Sequence, residues 1–264
     1  MKIGFIGCGN MATAMLKGIL KSGEVEASDM IASAKSDKTR EKIEKELGIR
    51  KADNNAQVVD FADVVFLAVK PQFLEGVLDE IRGSVKAGQI FISIAPGKTL
   101  QWLGERLGEN TKVIRTMPNT PAMVGEGMTA LCVNELVTEE ETALAVKLCD
   151  TFGKTEVIPE HLMDAVVGVS GSSPAYVFMF IEAMADAAVA EGMPRAQAYK
   201  FAAQSVLGSA KLMQETGKHP GELKDMVCSP AGTTIQAVRV LEEKGFRSAV
   251  IEAQTECVKK AKGM

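Results

Sequence analysis

A glycine-rich pattern close to the start of the chain constrains the fold more than any other feature of the sequence. Residues 7–12 read Gly-Cys-Gly-Asn-Met-Ala, which has the form G-x-G-x-x-A. An apolar, strand-like stretch at 2–6 precedes it, and a segment at 11–21 with apolar residues on one helical face follows it. In this context the first glycine permits a tight turn, the second admits a pyrophosphate, and the alanine lets the helix pack closely. The pattern therefore predicts a strand–loop–helix unit that binds a dinucleotide.

Apolar runs and helix-like segments continue to alternate through the first part of the chain. The run at 64–69 is continuously apolar, as expected of a strand that is buried on both faces. Further strands are predicted at 29–33, 89–94, 113–116 and 128–133, and helices at 38–47, 73–81 and 139–152. This alternation indicates a parallel sheet with helices on both faces. We therefore predict that residues 1–158 form a Rossmann-type dinucleotide-binding domain of the α/β class.

The remaining residues, 159–264, lack strand signals and are rich in alanine. Helices are predicted at 174–191, 195–215, 220–228, 233–244 and 248–262. Helices with such small side chains bury little apolar area by themselves, so an apolar surface is left for a second copy of the chain. The sequence therefore predicts an all-helical dimerisation domain after the α/β domain, and a homo-oligomer.

Composition and charge argue against several other classes of protein. The net charge is only −4, and the basic residues are scattered, which does not favour a nucleic-acid partner. The apolar run at 175–181 is short and is followed by Glu182 and Asp186, so no membrane partner is expected. The five cysteines lack metal-binding spacing, and no targeting segment is apparent. We expect no metal and a cytoplasmic location.

The end of the second predicted strand bears on the choice between NADPH and NADH. Proteins that bind NAD commonly place a carboxylate there, where it accepts a hydrogen bond from the ribose 2′-hydroxyl. Residues 33–36 read Ser-Ala-Lys-Ser, so Lys35 and two hydroxyls are suited to a 2′-phosphate instead. Asp37 lies one residue late, and a solvated surface lysine is nearly as good an interpretation of Lys35. The sequence favours NADPH and leaves NADH possible.

Other predicted cofactor-binding residues lie where strands end. In open α/β sheets, ligands bind at the carboxyl edge of the strands. Lys70 follows an apolar strand directly, although a loop lysine without a role is the alternative. The full predicted set is Ile6, Gly7, Cys8, Gly9, Asn10, Met11, Ser33, Ala34, Lys35, Asn55, Ala68, Val69, Lys70, Pro71 and Ala95.

Several blocks of the sequence resemble the pyrroline-5-carboxylate reductase family, over essentially the whole chain. GFIGCGNM at 4–11 and FLAVKP at 66–71 are shared with related reductases, and VIRTMPNTP at 113–121 also looks like the family. GVSGSSPAY at 168–176 and HPGELKD at 219–225 are more specific. The family signature continues as VCSPAGTTI at 227–235. Ser173 and Ala231 stand where the family usually has glycine. If position 231 needs a positive φ, alanine there costs about 1 kcal/mol or more.

The resemblance implies reduction of 1-pyrroline-5-carboxylate to proline by NADPH or NADH, in an active site at the interface of a helical dimer. The dimer is sometimes stacked into a larger ring. For the substrate it points to the loop at 229–234, where N–H groups at a helix start can receive a carboxylate. Without the resemblance, a simple Ser/Thr cap would be favoured here. For Asn119, in a Pro-bracketed loop after a strand, a plain turn is the competing interpretation. The predicted substrate residues are Asn119, Ser229, Gly232, Thr233 and Thr234, and Thr234 is the predicted catalytic residue.

Two other functions fit parts of the pattern. A reductase of the 3-hydroxy acid or 6-phosphogluconate type shares the glycine loop and the helical tail. Such enzymes usually need a lysine or another acid/base group for an alcohol, and the loop at 229–234 has none. A non-catalytic protein that binds a small ligand or partner through its helices is the second alternative.

Overall fold

The structure is a computed structural model that describes residues 1–263, apart from the side chain of Lys42. The chain forms two compact units, of which the first comprises residues 1–171 together with the chain from Val258 onward. The second comprises residues 172–257. The division between the units therefore falls after residue 171, whereas the sequence predicts a domain boundary at residues 158–159. That boundary between functional domains stays a prediction.

The first unit is built on one eight-stranded sheet of order β3-β2-β1-β4-β5-β6-β7-β8. Its strands are β1 Ile3–Ile6, β2 Met30–Ser33, β3 Arg50–Lys51, β4 Val64–Leu67, β5 Ile90–Ser93, β6 Lys112–Met117, β7 Gly127–Val133 and β8 Gly153–Val157. The strands from β3 to β6 are parallel, as predicted. At the end of the sheet the direction changes, because β7 runs antiparallel to β6 and β8 pairs parallel to β7. The connection at 118–126 is too short for the crossover that a parallel partner needs.

Helices cover the sheet and connect its strands. They are α1 Asn10–Ser22, α2 Asp37–Lys45, α3 Asn55–Phe61, α4 Pro71–Ile81, α5 Leu100–Leu107, α6 Glu139–Asp150 and α7 Met163–Val166. A π-helical turn, Val167–Gly171, follows α7. The sequence prediction missed α3 and α5, although each begins at a side-chain cap. Asn54 Oδ1 accepts a hydrogen bond from the N–H of Gln57, and Thr99 Oγ1 accepts one from Trp102.

The core of this unit lies on both faces of the sheet. Every residue of β1, β4 and β5 is buried, and the rings of Phe5 and Phe66 stack with their centroids 4.5 Å apart. On one face α1 contributes fully buried side chains such as Leu16 and Ile19, and on the other face α4 contributes Leu78. Burial on both faces confirms the predicted α/β architecture.

The second unit is entirely helical, as predicted. Its helices are α8 Ser173–Ala190, α9 Arg195–Thr216, α10 Pro220–Val227, α11 Thr233–Glu243 and α12 Phe246–Ala261, the last of which ends in the first unit. Within residues 172–257 the buried side chains are those of Ala185, Ala198 and Ala202. Large apolar side chains are exposed instead: Phe178 is 65% exposed and Phe201 is 67% exposed. Such a surface is suited to association with another chain.

One helical stretch in the described residues, from Glu160 to Ala190, is long and apolar enough to cross a membrane by length and composition alone. It is longer than the apolar run at 175–181 that the sequence singled out. Almost none of it is buried. A helix whose apolar surface is covered by a second copy of the chain can have the same length and composition. This stretch is therefore weak evidence for a membrane segment.

A pair of glycines lets β7 and β8 approach closely. Gly127 and Gly153 are register partners, and a methyl group on Gly153 would lie 2.0 Å from the carbonyl oxygen of Gly127. We therefore expect Gly153→Ala to lower the free energy of unfolding by about 3 kcal/mol, because the backbones must separate. Urea denaturation at a fixed protein concentration measures the change. Gly104→Ala is the matched control: its methyl group meets nothing within 4 Å, so it should raise stability by up to about 1 kcal/mol.

Candidate active site

The glycine loop between β1 and α1 has the geometry of an anion cradle. Gly7 has a φ of +94°, and a methyl group there would lie 2.7 Å from the carbonyl oxygen of Ala68, so only glycine fits. The position of a Cβ on Gly9 is open, with no atom within 4 Å. Gly9 also begins α1 without a side-chain cap and without an acidic residue in the first turn. The free N–H groups of α1 are therefore available to a phosphate group, which fits a dinucleotide.

An open cavity of about 410 Å³ lies at the carboxyl edge of the sheet, between the ends of β1, β2 and β4. Six of the predicted cofactor residues line it, namely Gly7, Ser33, Ala34, Lys35, Asn55 and Val69. The sequence prediction missed other lining residues, among them Arg40, Asp53, Asn54, Phe73 and Glu80. The edge where this cavity lies is the one at which open α/β sheets bind ligands.

Two cationic side chains line this cavity just beyond β2. The ammonium of Lys35 lies 5.5 Å from the ring centroid of Phe73, within the range of a cation–π contact. Arg40 donates a hydrogen bond from Nε to the carbonyl oxygen of Ala34 at 2.7 Å, while its Nη1 lies 3.8 Å from Asp37. The side chain of Asp37 is 96% exposed, so this ion pair is weakened by solvent. Arg40 escaped the sequence prediction because it lies one turn into α2, away from the strand end.

Polar side chains at the base of the cavity form a hydrogen-bonded chain. Ser33 Oγ donates to Asn55 Oδ1 at 2.6 Å, and Asn55 Nδ2 donates to Glu80 Oε2 at 2.7 Å. The hydroxyl hydrogen of Ser33 is thus used within the protein. Towards a ligand this oxygen is an acceptor, which is suited to a ribose hydroxyl and not to a phosphate.

The other predicted cofactor residues occupy different positions along the same edge. Cys8, Gly9 and Asn10 line a second open cavity, of about 370 Å³. The side chain of Ile6 is fully buried, so only its backbone can face a ligand. Lys70 precedes α4, which begins with Pro71. Met11 packs partly buried against the core, Ala68 donates its N–H to the carbonyl of Ile6, and Ala95 is buried beyond β5. Their contacts with a cofactor stay predictions.

Asn119 follows β6 and uses its side-chain amide within the protein. Its Nδ2 donates to the carbonyl oxygen and to Oγ of Ser170, at 3.2 Å in each case. Its Oδ1 accepts a hydrogen bond of 2.8 Å from the N–H of Met128. The predicted contact between Asn119 and the substrate stays a prediction, and these three bonds leave the amide little capacity for it.

The loop before α11 contains the predicted substrate residues Ser229, Gly232, Thr233 and Thr234. Gly232 begins the helix without a side-chain cap, and the first turn holds no acidic residue. The N–H of Gly232 donates to the carbonyl of Ser229 at 3.0 Å, so it is not available to a carboxylate as the sequence suggested. The N–H groups of Thr233 and Thr234, which follow it, remain open for that role. A methyl group on Gly232 would lie 2.2 Å from Ser229 Oγ, so the side chain of Ser229 would have to rotate away to admit it.

The described residues show no evident set of metal ligands. Among residues 1–263, no group of three histidine, cysteine, aspartate or glutamate side chains is arranged to hold a metal ion. His219 caps α10 instead, since its Nδ1 accepts a hydrogen bond of 3.1 Å from Gly221. Burial raises the pKa of the thiols of Cys132 and Cys149 to about 12, so neither is a reactive thiolate at neutral pH.

Comparisons with known proteins give a consistent result along the chain. The family model for pyrroline-5-carboxylate reductase dimerisation matches residues 160–264, and that for NADP oxidoreductase, coenzyme F420-dependent, matches residues 2–97. The curated pyrroline-5-carboxylate reductase of Escherichia coli is 56% identical over 260 residues, which is 98% of this chain and 97% of that protein.

Solved structures of the same kind of enzyme are also similar to this chain. The structure of a pyrroline-5-carboxylate reductase from Coxiella burnetii has a TM-score of 0.93 at 33% identity, covering 99% of this chain and 97% of that one. The pyrroline carboxylate reductase of Plasmodium falciparum, solved with NADP bound, has a TM-score of 0.89 at 29% identity, covering 100% and 97%.

The predicted strain at position 231 can be tested directly. Ala231 has a φ of +57°, the only positive φ of a non-glycine residue in the described part of the chain. We expect Ala231→Gly to raise the free energy of unfolding by about 1 kcal/mol, because glycine adopts this conformation without a steric penalty. The same exchange at Ala143, an exposed site within α6, should lower it by about 1 kcal/mol. If urea titrations show that Ala231→Gly and Ala143→Gly lower the free energy of unfolding by similar amounts, position 231 is not strained.

Proposed function

The chain belongs to the pyrroline-5-carboxylate reductase family, and from this membership we propose that NADPH is its preferred cofactor and that Thr234 orients its substrate. The protein is an NAD(P)H-dependent oxidoreductase that reduces 1-pyrroline-5-carboxylate to L-proline, the last step of proline biosynthesis. Hydride is transferred to the carbon of the cyclic imine. The close similarity to curated reductases along nearly the whole chain carries this conclusion.

A bound nicotinamide cofactor supplies the hydride, so the protein has to bind and orient the reactants and exclude water. The open cradle at Gly9 and the uncapped start of α1 are suited to a pyrophosphate. The cavity lined by Ser33, Lys35 and Asn55 is suited to the adenosine ribose and the groups that it carries. These assignments follow the strand–loop–helix geometry of dinucleotide-binding proteins.

The preference for NADPH is supported by the charge at the end of β2. Lys35 and Arg40 line the cavity there, and the hydrogen bond from Arg40 to the carbonyl of Ala34 holds its guanidinium in place. A planar guanidinium pairs well with a phosphate. The relative from Plasmodium falciparum that was solved with NADP supports the same preference. NADH remains usable, because the oxygen of Ser33 is suited to a ribose hydroxyl.

The loop before α11 is suited to the carboxylate of the substrate. The open N–H groups of Thr233 and Thr234 point out of a helix N-terminus, where the helix dipole favours negative charge. Thr234 has a hydroxyl that can donate to the carboxylate or hydrogen-bond the ring nitrogen. Ser229 and Gly232 form the tight turn that presents these groups. An acid/base group for an alcohol substrate is missing from this loop, which favours an imine.

The chain forms a homo-oligomer, and its substrate is a small molecule. We further propose that the oligomer is built on a dimer of the helical region, which the dimerisation match and the exposed apolar helices support. A cytoplasmic location is proposed as well, because none of the five cysteines forms a disulfide in the described structure. A gel-filtration mass equal to one chain would contradict the dimer.

The activity is tested by following the absorbance of NADPH with and without 1-pyrroline-5-carboxylate, and by identifying proline as the product. Oxidation that depends on the substrate and yields proline is expected. The same assay with NADH tests the cofactor preference, which is wrong if NADH matches NADPH in catalytic efficiency. Tight NADPH binding without turnover would instead favour another reductase or a ligand-binding role.

Arg40 allows a sharper test of the cofactor preference. Because a charge-assisted hydrogen bond to the 2′-phosphate is lost, Arg40→Ala should raise KM for NADPH about tenfold and change KM for NADH less than about twofold. Calorimetric titration with 2′,5′-ADP and 5′-AMP should show the same difference without turnover. The control is Arg50→Ala, since Arg50 Nε also donates to a carbonyl, that of Ser28 at 2.9 Å, but lies outside the cavity. Equal weakening of both cofactors by Arg40→Ala would count against the phosphate contact.

Thr234 is tested by removing its hydroxyl. Thr234→Ala should lower kcat/KM for 1-pyrroline-5-carboxylate by about tenfold to a hundredfold, because one hydrogen bond to a charged group is lost. The dissociation constant of NADPH, measured by fluorescence titration, should stay the same. Thr234→Ser keeps the hydroxyl and should recover most of the activity. Wild-type kinetics in Thr234→Ala would rule out the proposed role.

A further inference from the structure

We propose that Asn119 is a positioning residue of the reductase reaction, which fixes the π-helical turn Val167–Gly171 against the loop that follows β6. The proposal rests on the reductase activity of the family and is independent of the choice between NADPH and NADH. It assigns to Asn119 an indirect role, without contact to either reactant.

The side-chain amide of Asn119 joins three segments of the first unit. Its Oδ1 accepts the N–H of Met128 at the start of β7, which closes the loop between β6 and β7. Its Nδ2 donates to both the carbonyl and the hydroxyl of Ser170, in the π-helical turn. Asn119 also begins the turn Thr120–Val124 with its own carbonyl, which accepts the N–H of Ala122 at 3.2 Å. The three hydrogen bonds of this side chain thus connect the loop, the strand and the π-helical turn.

The π-helical turn depends on such support more than an α-helix does. Turns of this kind are rare, occur mostly as single turns, and are frequent at functional sites. This one contains Gly168 and Gly171, and glycine adds conformational freedom to the unfolded segment. Asn119 lies outside the turn and donates a hydrogen bond to the carbonyl of Ser170 within it. Without them, the turn keeps fewer interactions that select its conformation.

The segment before the turn is held on the same end of the sheet by an ion pair with a buried arginine. Glu160 Oε1 accepts hydrogen bonds from Arg115 Nη1 at 3.0 Å and from the N–H of Leu100 at 2.7 Å. The side chain of Arg115 is only 5% exposed. Between this pair and Ser170, Met163 packs in an apolar cluster with Met117 at the end of β6. Asn119 is therefore the last of several anchors along residues 158–171.

The position of Asn119 connects this support to the reaction. It follows β6 at the carboxyl edge of the sheet, where ligands of such sheets bind. The chain passes from the π-helical turn directly into Ser172 and α8, the first long helix of the region matched by the dimerisation model. Loss of the amide therefore loosens both the loop at the ligand edge and the backbone from which α8 begins.

Asn119→Ala tests this proposal, with Asn134→Ala as the matched control. Asn134 makes the same kinds of bond at the opposite end of β6: Oδ1 accepts from Val113 and Nδ2 donates to the carbonyl of Thr111. We expect Asn119→Ala to lower kcat about tenfold, to leave the dissociation constant of NADPH within about twofold, and to speed amide exchange at 167–171. Asn134→Ala should lower the thermal midpoint of unfolding by about as much as Asn119→Ala does, and should leave kcat at the wild-type value. Equal losses of kcat in both variants would overturn the proposal, as would wild-type kcat in Asn119→Ala.

Ser170→Ala separates an indirect role from a direct contact with the substrate. This variant removes one of the two acceptors of Asn119 Nδ2 and should lower kcat about threefold. The double variant should have the same kcat as Asn119→Ala, because both changes break the same hydrogen-bonded contact. If Asn119 touched the substrate itself, Ser170→Ala would leave kcat unchanged, or the two effects would multiply. Either of these results would overturn the positioning role.

Discussion

Burial of the central strands between two layers of helices is the constraint on which the rest of the first unit depends. Because β1, β4 and β5 are buried along their whole length, they carry apolar side chains on both faces. Most side chains that can face a ligand therefore lie at the strand ends and in the loops that follow them. The glycine loop, the cations beyond β2 and the amide after β6 all lie at one edge for this reason.

The beginnings of the helices divide into two kinds. Asn54, Thr99 and Thr138 cap α3, α5 and α6 with a side-chain oxygen, which satisfies an N–H group in the first turn of each helix. Gly9 and Gly232 begin α1 and α11 without such a cap, in the two loops to which the sequence assigned ligand binding. Donors that the protein itself leaves unsatisfied are suited to an anion. The missing cap indicates binding only together with the position of the loop, since α4, α8 and α9 also begin without a side-chain cap.

Much of this was predictable from the sequence, because long apolar runs and a glycine loop are strong local signals. The central strands, α1 and the helical second unit were predicted in type and place. The two-residue β3, the half-exposed β8 and the short helices α3 and α5 were missed, since few of their residues carry a periodic apolar pattern. Arg40 and the bond between Ser33 and Asn55 were missed because they join residues on different elements. Such pairings arise only from tertiary structure.

In the proposed dimer of the helical region, the sparse interior of the second unit makes the protein sensitive to dilution. Residues 172–257 bury only three alanines fully, so in that dimer a neighbouring chain contributes much of the free energy that keeps these helices folded. Folding of the region is then linked to assembly by mass action. At low concentration, newly made chains would expose Phe178 and Phe201, and the rate at which two copies meet would limit how quickly active enzyme accumulates.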